Sequence, residues 1–156
     1  MPRNSHHTPI LDETAKAIIE HLQEDGRRPY TRIAAAVGLS ESAVRQRVAA
    51  LIEAGVLQIV AVTDPLTLGF HRMAMIGIKI EGDVRAAADV LAGFPEVDYV
   101  VITAGSFDLL CEVVCEDDDA LLALVNDKVR RVAGVQTTET FMYLRLHKQT
   151  YTWGTR

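Results

Sequence analysis

The chain has 156 residues, of which 49% are hydrophobic, and carries a net charge of −5. This fits one globular domain or two small ones. No apolar run reaches the roughly 20 residues that span a bilayer, and the N-terminus lacks the apolar stretch of a signal peptide, so we expect a cytoplasmic protein without a membrane partner.

The charge is unevenly distributed along the chain. Residues 1–62 hold seven basic and seven acidic side chains, whereas residues 63–156 hold nine basic and fourteen acidic ones. Within residues 26–50, five arginines stand against a single acidic residue, Glu41. A basic patch on an otherwise acidic protein directs that one surface towards phosphate.

The cysteines and histidines favour neither a disulfide nor a metal site. Cys111 and Cys115 lie in one predicted strand, which places their Cα atoms roughly 13 Å apart, too far for a disulfide. Their spacing also differs from a CxxC motif. We expect two core cysteines, no metal and no cofactor, and we assign His6 and His7 to a flexible tail over residues 1–10.

Residues 11–57 are predicted to form a bundle of three helices. Asp12 can cap the first helix, which ends near residues 25–26. Apolar residues recur at helical spacing along all three helices. The predicted core of the bundle consists of Leu11, Ala15, Ile18, Leu22, Ile33, Ala34, Val37, Val44, Val48, Leu51 and Ile52.

The second and third helices have the spacing of a helix-turn-helix. The second begins around Thr31, and Gly38 supplies the left-handed conformation that commonly closes a helix. Ser40 is a good cap for the third helix, which stops at Gly55. A short helix, a three-residue turn containing glycine and a longer helix together predict a DNA-binding unit.

The third helix has the distribution of side chains that a helix needs to contact base edges in the major groove; we call such a helix a reading helix. At 100° per residue, Ser42, Gln46, Ala49 and Glu53 lie on the side opposite the core, and Arg45 and Arg47 lie on the two flanks. The amide of Gln46 can form a pair of hydrogen bonds with the edge of adenine, and the guanidinium of Arg45 can do the same with guanine. The alternative is an ordinary bundle with solvated arginines. The predicted DNA contacts are Arg27, Arg28, Tyr30, Thr31, Ser40, Ser42, Arg45, Gln46 and Arg47.

Residues 58–70 are predicted to form a linker strand or loop. Residues 71–147 are predicted to form two strand–helix–strand units, and residues 148–156 a C-terminal tail. The order βαββαβ predicts a ferredoxin-like antiparallel sheet with two helices on one side, and hence an α/β two-domain chain. The predicted elements are Arg72–Glu81, Val84–Gly93, Val97–Ala104, Phe107–Glu116, Asp118–Val132 and Val135–His147.

The strand Phe107–Glu116 has two different faces. The side chains of Phe107, Leu109, Cys111, Val113 and Cys115 are predicted to share the apolar face. The other face is mixed, which favours packing on a partner subunit. The acidic run at residues 116–119 opens a predicted helix, where carboxylates cap free N–H groups in preference to binding a metal.

Several segments together resemble the Lrp/AsnC (feast/famine) regulators. They are LDETAKAIIEHLQEDGR, TRIAAAVGLSESAVRQRVAALIEAGVL, TAGSFDLLCEV and GVQTTETFMYL, and the resemblance covers residues 11–147. It implies a winged helix-turn-helix joined to a RAM-type domain. It also implies homodimers that assemble into octamers and hold an amino-acid effector between dimers.

The resemblance also assigns an effector segment. Gly105 would allow close approach of the ligand, and Asp108 would accept from its α-ammonium group. Thr138, Glu139 and Thr140 would lie nearby on the last strand. The alternative is that the loop is simply a hairpin turn, which Asp108 braces.

Three functions follow from these patterns. The leading one is a regulator that binds duplex DNA at a pseudo-palindromic site and responds to an amino acid or related metabolite. Tetrapyrrole (siroheme-type) decarboxylases also resemble the family, but the third helix keeps both arginines and the second domain contributes only His71 and His147, so we expect no enzyme. The third is a nucleoid-type protein that wraps DNA.

Overall fold

The computed structural model describes residues 11–156, so the predicted tail with His6 and His7 lies outside the described residues. The described chain divides into two compact units. Unit 1 comprises residues 11–62 together with Lys148–Arg156, and unit 2 comprises Thr63–His147. The interdomain segment includes a short 3₁₀ turn at Pro65–Leu68, which the side chain of Asp64 caps.

Unit 1 is the predicted three-helix bundle. The Asp12 carboxylate accepts from the backbone N–H of Ala15, and the Ser40 hydroxyl accepts from that of Ala43, so both predicted caps are confirmed. Gly38 closes the second helix with φ of 71°. The helices are α1 (Glu13–Glu24), α2 (Tyr30–Val37) and α3 (Glu41–Glu53).

The core of unit 1 is aliphatic and contains one residue from each helix that is fully inaccessible: Ile18, Ile33 and Val44. Burying such a side chain stabilises the fold by about 1.5–3 kcal/mol. The assignment of Ile52 to this core is wrong, since its side chain is 46% exposed. At 100° per residue it lies roughly 70° from the direction of the buried residues of α3, on the flank of the helix.

The C-terminal segment is part of unit 1. The Gln23 side chain accepts from the backbone N–H of Gly154 at 3.0 Å and donates to its carbonyl at 3.4 Å. The hydroxyl of Thr155 donates to the carboxylate of Glu20. Residues 148–156, predicted as a tail, therefore end against α1.

Unit 2 confirms the predicted βαββαβ order. Its four strands form one antiparallel sheet in the order β2-β3-β1-β4. The elements are β1 (Arg72–Ile80), α4 (Val84–Leu91), β2 (Val97–Ile102), β3 (Leu109–Cys115), α5 (Asp118–Ala123), a wide π turn (Leu124–Lys128), a 3₁₀ turn (Val129–Arg131) and β4 (Val135–Met142).

Two predicted elements differ from the structure by more than two residues at one end. The last strand ends at Met142 and does not reach His147, because its neighbour β1 begins at Arg72. The backbone N–H of Tyr143 makes one more bond to the carbonyl of Met73, beyond which β4 has no neighbouring strand within unit 2. The single long helix predicted after β3 is instead α5 followed by the wide and 3₁₀ turns.

The helix-side face of the sheet is the core of unit 2. Leu109, Cys111, Val113 and Cys115 alternate into it, so the cysteine prediction is confirmed. The placement of Phe107 on this face is wrong. It precedes β3, where no strand pleat fixes the alternation.

The Phe107 ring covers Gly77 on the second face of the sheet, which is the face away from the helices. It also meets the Phe141 ring edge-on, with centroids 6.0 Å apart. The packing of this aromatic pair leaves room at position 77 for glycine alone, since an added Cβ atom would lie 2.6 Å from the ring.

The acidic run after β3 caps α5, as predicted. The Asp117 carboxylate accepts from the backbone N–H of Ala120, and Asp118 pairs with Arg72. Within residues 11–156, His, Cys, Asp and Glu side chains form no group of three or more that would hold a metal ion. Over the same residues, we find no helix with the length and apolar character to cross a membrane.

Gly134 and Gly82 provide a matched test of how β1 and β4 join. Both have positive φ, so alanine costs about 1–2 kcal/mol of backbone strain at either position. At Gly134 a Cβ atom would also lie 2.6 Å from the carbonyl oxygen of Glu81, whereas at Gly82 it meets nothing within 4 Å. We expect Gly134→Ala to lower the free energy of unfolding by about 1–3 kcal/mol more than Gly82→Ala.

Urea unfolding followed by circular dichroism, at one fixed protein concentration, measures both variants. Equal losses for the two variants would contradict the close approach of Gly134 to Glu81.

Candidate nucleic-acid interface and effector segment

Helix α3 is buried along one side only. Val44, Val48 and Leu51 pack into unit 1 and are at most 3% exposed. The opposite side is exposed, with Gln46 turned outward. This exposed strip, the outer face of α3, consists of Ser42, Arg45, Gln46, Ala49 and Glu53.

The N-terminal end of α3 presents two hydroxyl groups. Ser40 caps the helix, and its Oγ lies 3.0 Å from the Oγ of Ser42. The first N–H groups of a helix, together with its dipole, favour a phosphate oxygen at this end. The two serines thus surround a position suited to a DNA backbone.

Arg45 is held at the edge of the outer face by two contacts. Its guanidinium donates to the carboxylate of Glu41 at 2.7 Å and lies 5.3 Å from the ring centroid of Tyr30, the first residue of α2. Exposed i,i+4 pairs contribute only about 0.3–0.5 kcal/mol. Arg45 can therefore leave Glu41 and donate to an acceptor on a nucleic acid with little loss of stability.

Arg47 has a different environment from Arg45. Its Nη1 donates to both carboxylate oxygens of Asp12, at 3.0 and 2.8 Å. Hydrogen bonds from the Ala15 N–H and then from Arg47 hold the pKa of Asp12 below its ordinary value of 3.8. Arg47 thus connects α3 to the cap of α1, a contact across 35 residues for which the sequence carries no local signal.

The remaining predicted DNA contacts lie around the start of α2. Arg28 pairs with Glu24 at 3.0 Å and contacts the ring of His21. Arg27 and Thr31 are exposed. In the described chain, the side chain of Arg27 makes no hydrogen bond or ion pair.

Asp108 is engaged inside the fold. One carboxylate oxygen accepts from the backbone N–H of Ile80 at 2.8 Å and lies 3.9 Å from the Nζ of Lys79. Gly105 lies in an exposed loop, where an added Cβ atom meets nothing within 4 Å. Asp108 therefore braces the end of β1 through one oxygen, while its second oxygen makes no hydrogen bond within the described residues.

The three predicted effector residues on β4 divide between the two faces of the sheet. Thr138 and Thr140 stand opposite Ile78 and Ile76 of β1, whose side chains enter the helix-side core. Glu139 stands opposite Gly77 and lies on the second face. A ligand that reaches Thr138 on one face is thus separated by the sheet from Glu139.

The sequence prediction missed Arg130, which contacts Thr138. Its Nε donates to the Thr138 hydroxyl at 3.1 Å, beside a cleft along the start of β4. The basic pair at residues 130–131 was visible, but nothing in its spacing distinguished Arg130 from Arg131, and both side chains are exposed.

Comparison with known proteins decides the family. Residues 11–52 match the AsnC-type helix-turn-helix domain, and residues 70–156 match an AsnC-type C-terminal dimeric alpha+beta barrel domain. The chain belongs to the Lrp/AsnC family. The resemblance drawn from the sequence is confirmed, and the chain is a DNA-binding transcriptional regulator.

Relatives and solved structures of the family align with most of the chain. HTH-type transcriptional regulator FL11 of Pyrococcus furiosus is 36% identical and covers 90% of this chain and 94% of its own length. LrpA of Pyrococcus horikoshii is 30% identical, with coverages of 81% and 91%. AsnC of E. coli superposes with a TM-score of 0.78 at 25% identity, with coverages of 92% and 98%.

A transcriptional regulator of Neisseria meningitidis, solved in complex with L-methionine, has a TM-score of 0.78 at 29% identity. It covers 91% of this chain and 95% of its own. The feast or famine regulatory protein of M. tuberculosis, also complexed with L-methionine, has a TM-score of 0.79 at 27% identity. Its coverages are 89% and 95%.

The pair between Asp12 and Arg47 predicts a pH dependence of stability. A carboxyl whose pKa is lowered by folding contributes stability above its ordinary pKa and loses that contribution as the pH falls through the folded value. Asp12→Asn keeps a good helix cap but removes the charge. We expect wild type to be more stable than Asp12→Asn at about pH 6, and the difference to be lost as the pH falls through the lowered pKa of Asp12.

Urea unfolding across this pH range measures the difference. In an Arg47→Gln background the effect of Asp12→Asn should become smaller at about pH 6, because the partner charge is gone. An unchanged difference in that background would show that Arg47 does not stabilise Asp12.

Proposed function

We propose that the chain binds duplex DNA sequence-specifically with the outer face of α3 in the major groove, and that a small amino acid or related metabolite modulates this binding. The single observation that carries the first part is the one-sided burial of α3, which leaves Gln46 exposed between flanking cations. Short polar groups that face base edges, with cations beside them, suit a groove-reading helix.

We assign different roles to the predicted contacts. Gln46 and Arg45 read base edges, where bidentate bonds to adenine and guanine discriminate best. Arg47 keeps its hydrogen bonds to Asp12 when DNA is bound, and it orients α3. The residues placed at the phosphate backbone are Arg27, Arg28, Tyr30, Thr31, Ser40 and Ser42.

The second part of the proposal concerns the effector and the assembly. Two family members of known structure were solved with L-methionine, which supports an amino acid as the class of effector. The dimeric description of the matching C-terminal domain supports a homodimer, and the family resemblance extends this to octamers. We propose that this regulator acts in the cytoplasm and is not an enzyme.

The groove assignment predicts the effect of one arginine. Arg45→Ala should weaken binding to a selected operator by about 1–3 kcal/mol and relax discrimination at one base pair. Arg85→Ala removes the same charge from an exposed site on α4 of unit 2 and should leave discrimination unchanged. Fluorescence anisotropy at fixed salt, with the selected operator and single-base variants, measures both.

If Arg45→Ala and Arg85→Ala discriminate among operators equally well, α3 is not the reading helix. A specific-to-nonspecific affinity ratio near one in wild type would instead favour a DNA-wrapping protein.

The effector assignment predicts a stabilising amino acid. A ligand present at 100 times its dissociation constant adds about 2.7 kcal/mol to the free energy of unfolding, so a thermal-shift screen of the twenty amino acids would detect it. Asp108→Asn retains an oxygen for the N–H of Ile80 while removing the charge. We expect this variant to fold normally and to lose most of the shift.

A screen without any shift would contradict the effector part while leaving DNA binding in place. A full shift in Asp108→Asn would show that the Asp108 charge does not hold the ligand.

A further inference from the structure

The C-terminal part of unit 1, Lys148–Arg156, is a segment without helix or strand that we call the C-terminal strap. Its side chains contact one another at every second residue. The amide of Gln149 donates to the hydroxyl of Tyr151 at 2.6 Å, and the ring of Tyr151 meets that of Trp153 edge-on, with centroids 6.5 Å apart. Alternate side chains share one side of an extended backbone. These contacts therefore keep the first part of the strap extended.

The end of the strap binds to α1. The amide of Gln23 bonds both backbone groups of Gly154, since it accepts from the N–H at 3.0 Å and donates to the carbonyl at 3.4 Å. The hydroxyl of Thr155 donates to the carboxylate of Glu20. Glu20 and Gln23 lie three residues apart and hence on one side of the helix. The strap thus has a defined docking site on α1.

The charges of the strap and of α1 are complementary. The strap has two basic residues and no acidic one, and α1 has three exposed glutamates. Two of these glutamates form ion pairs with nearby cations, Glu13 with Lys16 and Glu24 with Arg28. Glu20 lies between them along the helix and is the glutamate that bonds the strap. An acid-free segment therefore docks beside the carboxylate that these two ion pairs leave out.

The docking is weak. All three hydrogen bonds lie at the surface, where water competes for each donor and acceptor, so the net contribution of each is small. The side chains of Tyr151 and Trp153 are 49% and 77% exposed, and they add little buried apolar area. The strap also loses conformational entropy when it is fixed. The docked and released states therefore differ little in free energy, and a small additional interaction shifts the balance between them.

The docking site is connected to α3 through α1. Glu20 and Gln23 belong to the same 12-residue helix whose cap, Asp12, accepts two hydrogen bonds from Arg47 of α3. A helix of this length moves as one rod. A strap that holds the C-terminal half of α1 therefore restricts the movement of Asp12, and with it the movement of the outer face of α3.

We propose that the C-terminal strap is a detachable latch on α1, and that its docked state is the state in which unit 1 binds its operator most tightly. The link to the operator rests on the proposed function, whereas the docking itself does not. Coupling between two sites is reciprocal. If the docked strap strengthens operator binding, the bound operator strengthens strap docking by the same factor.

The test follows Trp153, the only tryptophan of the chain, in the full-length protein by time-resolved fluorescence anisotropy. In a released strap the indole reorients within nanoseconds, whereas in a docked strap it rotates more slowly, with the protein. The test variant combines Gln23→Ala with Thr155→Val and removes all three bonds without changing any charge. Alanine is the better helix former at position 23, so the first substitution does not weaken α1 by itself.

Thr152→Val is the matched control. It makes the same exchange within the strap, at an exposed hydroxyl that has no hydrogen-bond partner among residues 11–156. Wild type, the double variant and the control are each measured without DNA, with the selected operator duplex, and with a scrambled duplex of the same length at the same salt concentration. Fluorescence anisotropy of a labelled operator gives the affinity of each protein.

In wild type we expect the operator, but not the scrambled duplex, to reduce the fast component of the Trp153 decay. The double variant should show a larger fast component without DNA. It should also bind the operator at least roughly fivefold more weakly, the lower end of typical coupling between sites. Thr152→Val should match wild type in both measurements.

Equal fast components in wild type and the double variant would overturn docking at Glu20 and Gln23. A larger fast component with unchanged operator affinity would show that the strap docks without acting on DNA binding, which overturns the latch. Failure of the proposed function is recognised separately, by equal operator discrimination in Arg45→Ala and Arg85→Ala. In that case the link to the operator falls, while the decay of Trp153 without DNA still decides whether the strap docks on α1.

Discussion

The orientation of α3 depends on three aliphatic side chains along one side of the helix. Val44, Val48 and Leu51 are almost inaccessible, and burial of each contributes about 1.5–3 kcal/mol. The exposed ion pairs of the same helix contribute tenths of a kcal/mol. Packing therefore sets the direction of the outer face, while the ion pairs with Glu41 and Asp12 adjust the positions of the arginines.

A similar division holds in unit 2. The helix-side core fixes β1 and β3 through small and branched side chains, and the polar groups that we propose for the effector lie at the ends and edges of the strands. Asp108 sits just before β3, and Thr138 sits on the edge strand β4. A site at the border of a rigid sheet keeps its geometry while remaining accessible to small molecules.

Local signals made most of the fold predictable. The caps at Asp12, Ser40 and Asp117 depend on bonds within three residues. The sequence identified the first two individually and the third as a member of the acidic run at residues 116–119. The βαββαβ succession of elements followed from the alternation of apolar residues and from the turn positions. Ile52 was misplaced because it lies on the flank of α3, and Phe107 because it precedes β3, where no strand pleat fixes the side to which it points.

The candidate site was less predictable because it depends on contacts between distant parts of the chain. The contact of Arg47 with Asp12 spans 35 residues, and the sequence around either residue carries no pattern that predicts it. Three consecutive residues of β4 were treated as one group, although a strand turns Glu139 away from Thr138 and Thr140.

The bonds from Gly154 and Thr155 to α1 bear on how the protein is made. Unit 1 is discontinuous in the chain, since all of unit 2 is encoded between its two parts. The three helices leave the ribosome first, yet the segment that docks on Glu20 and Gln23 is synthesised last. During translation the three helices of unit 1 therefore lack their C-terminal contacts until all of unit 2 has been synthesised.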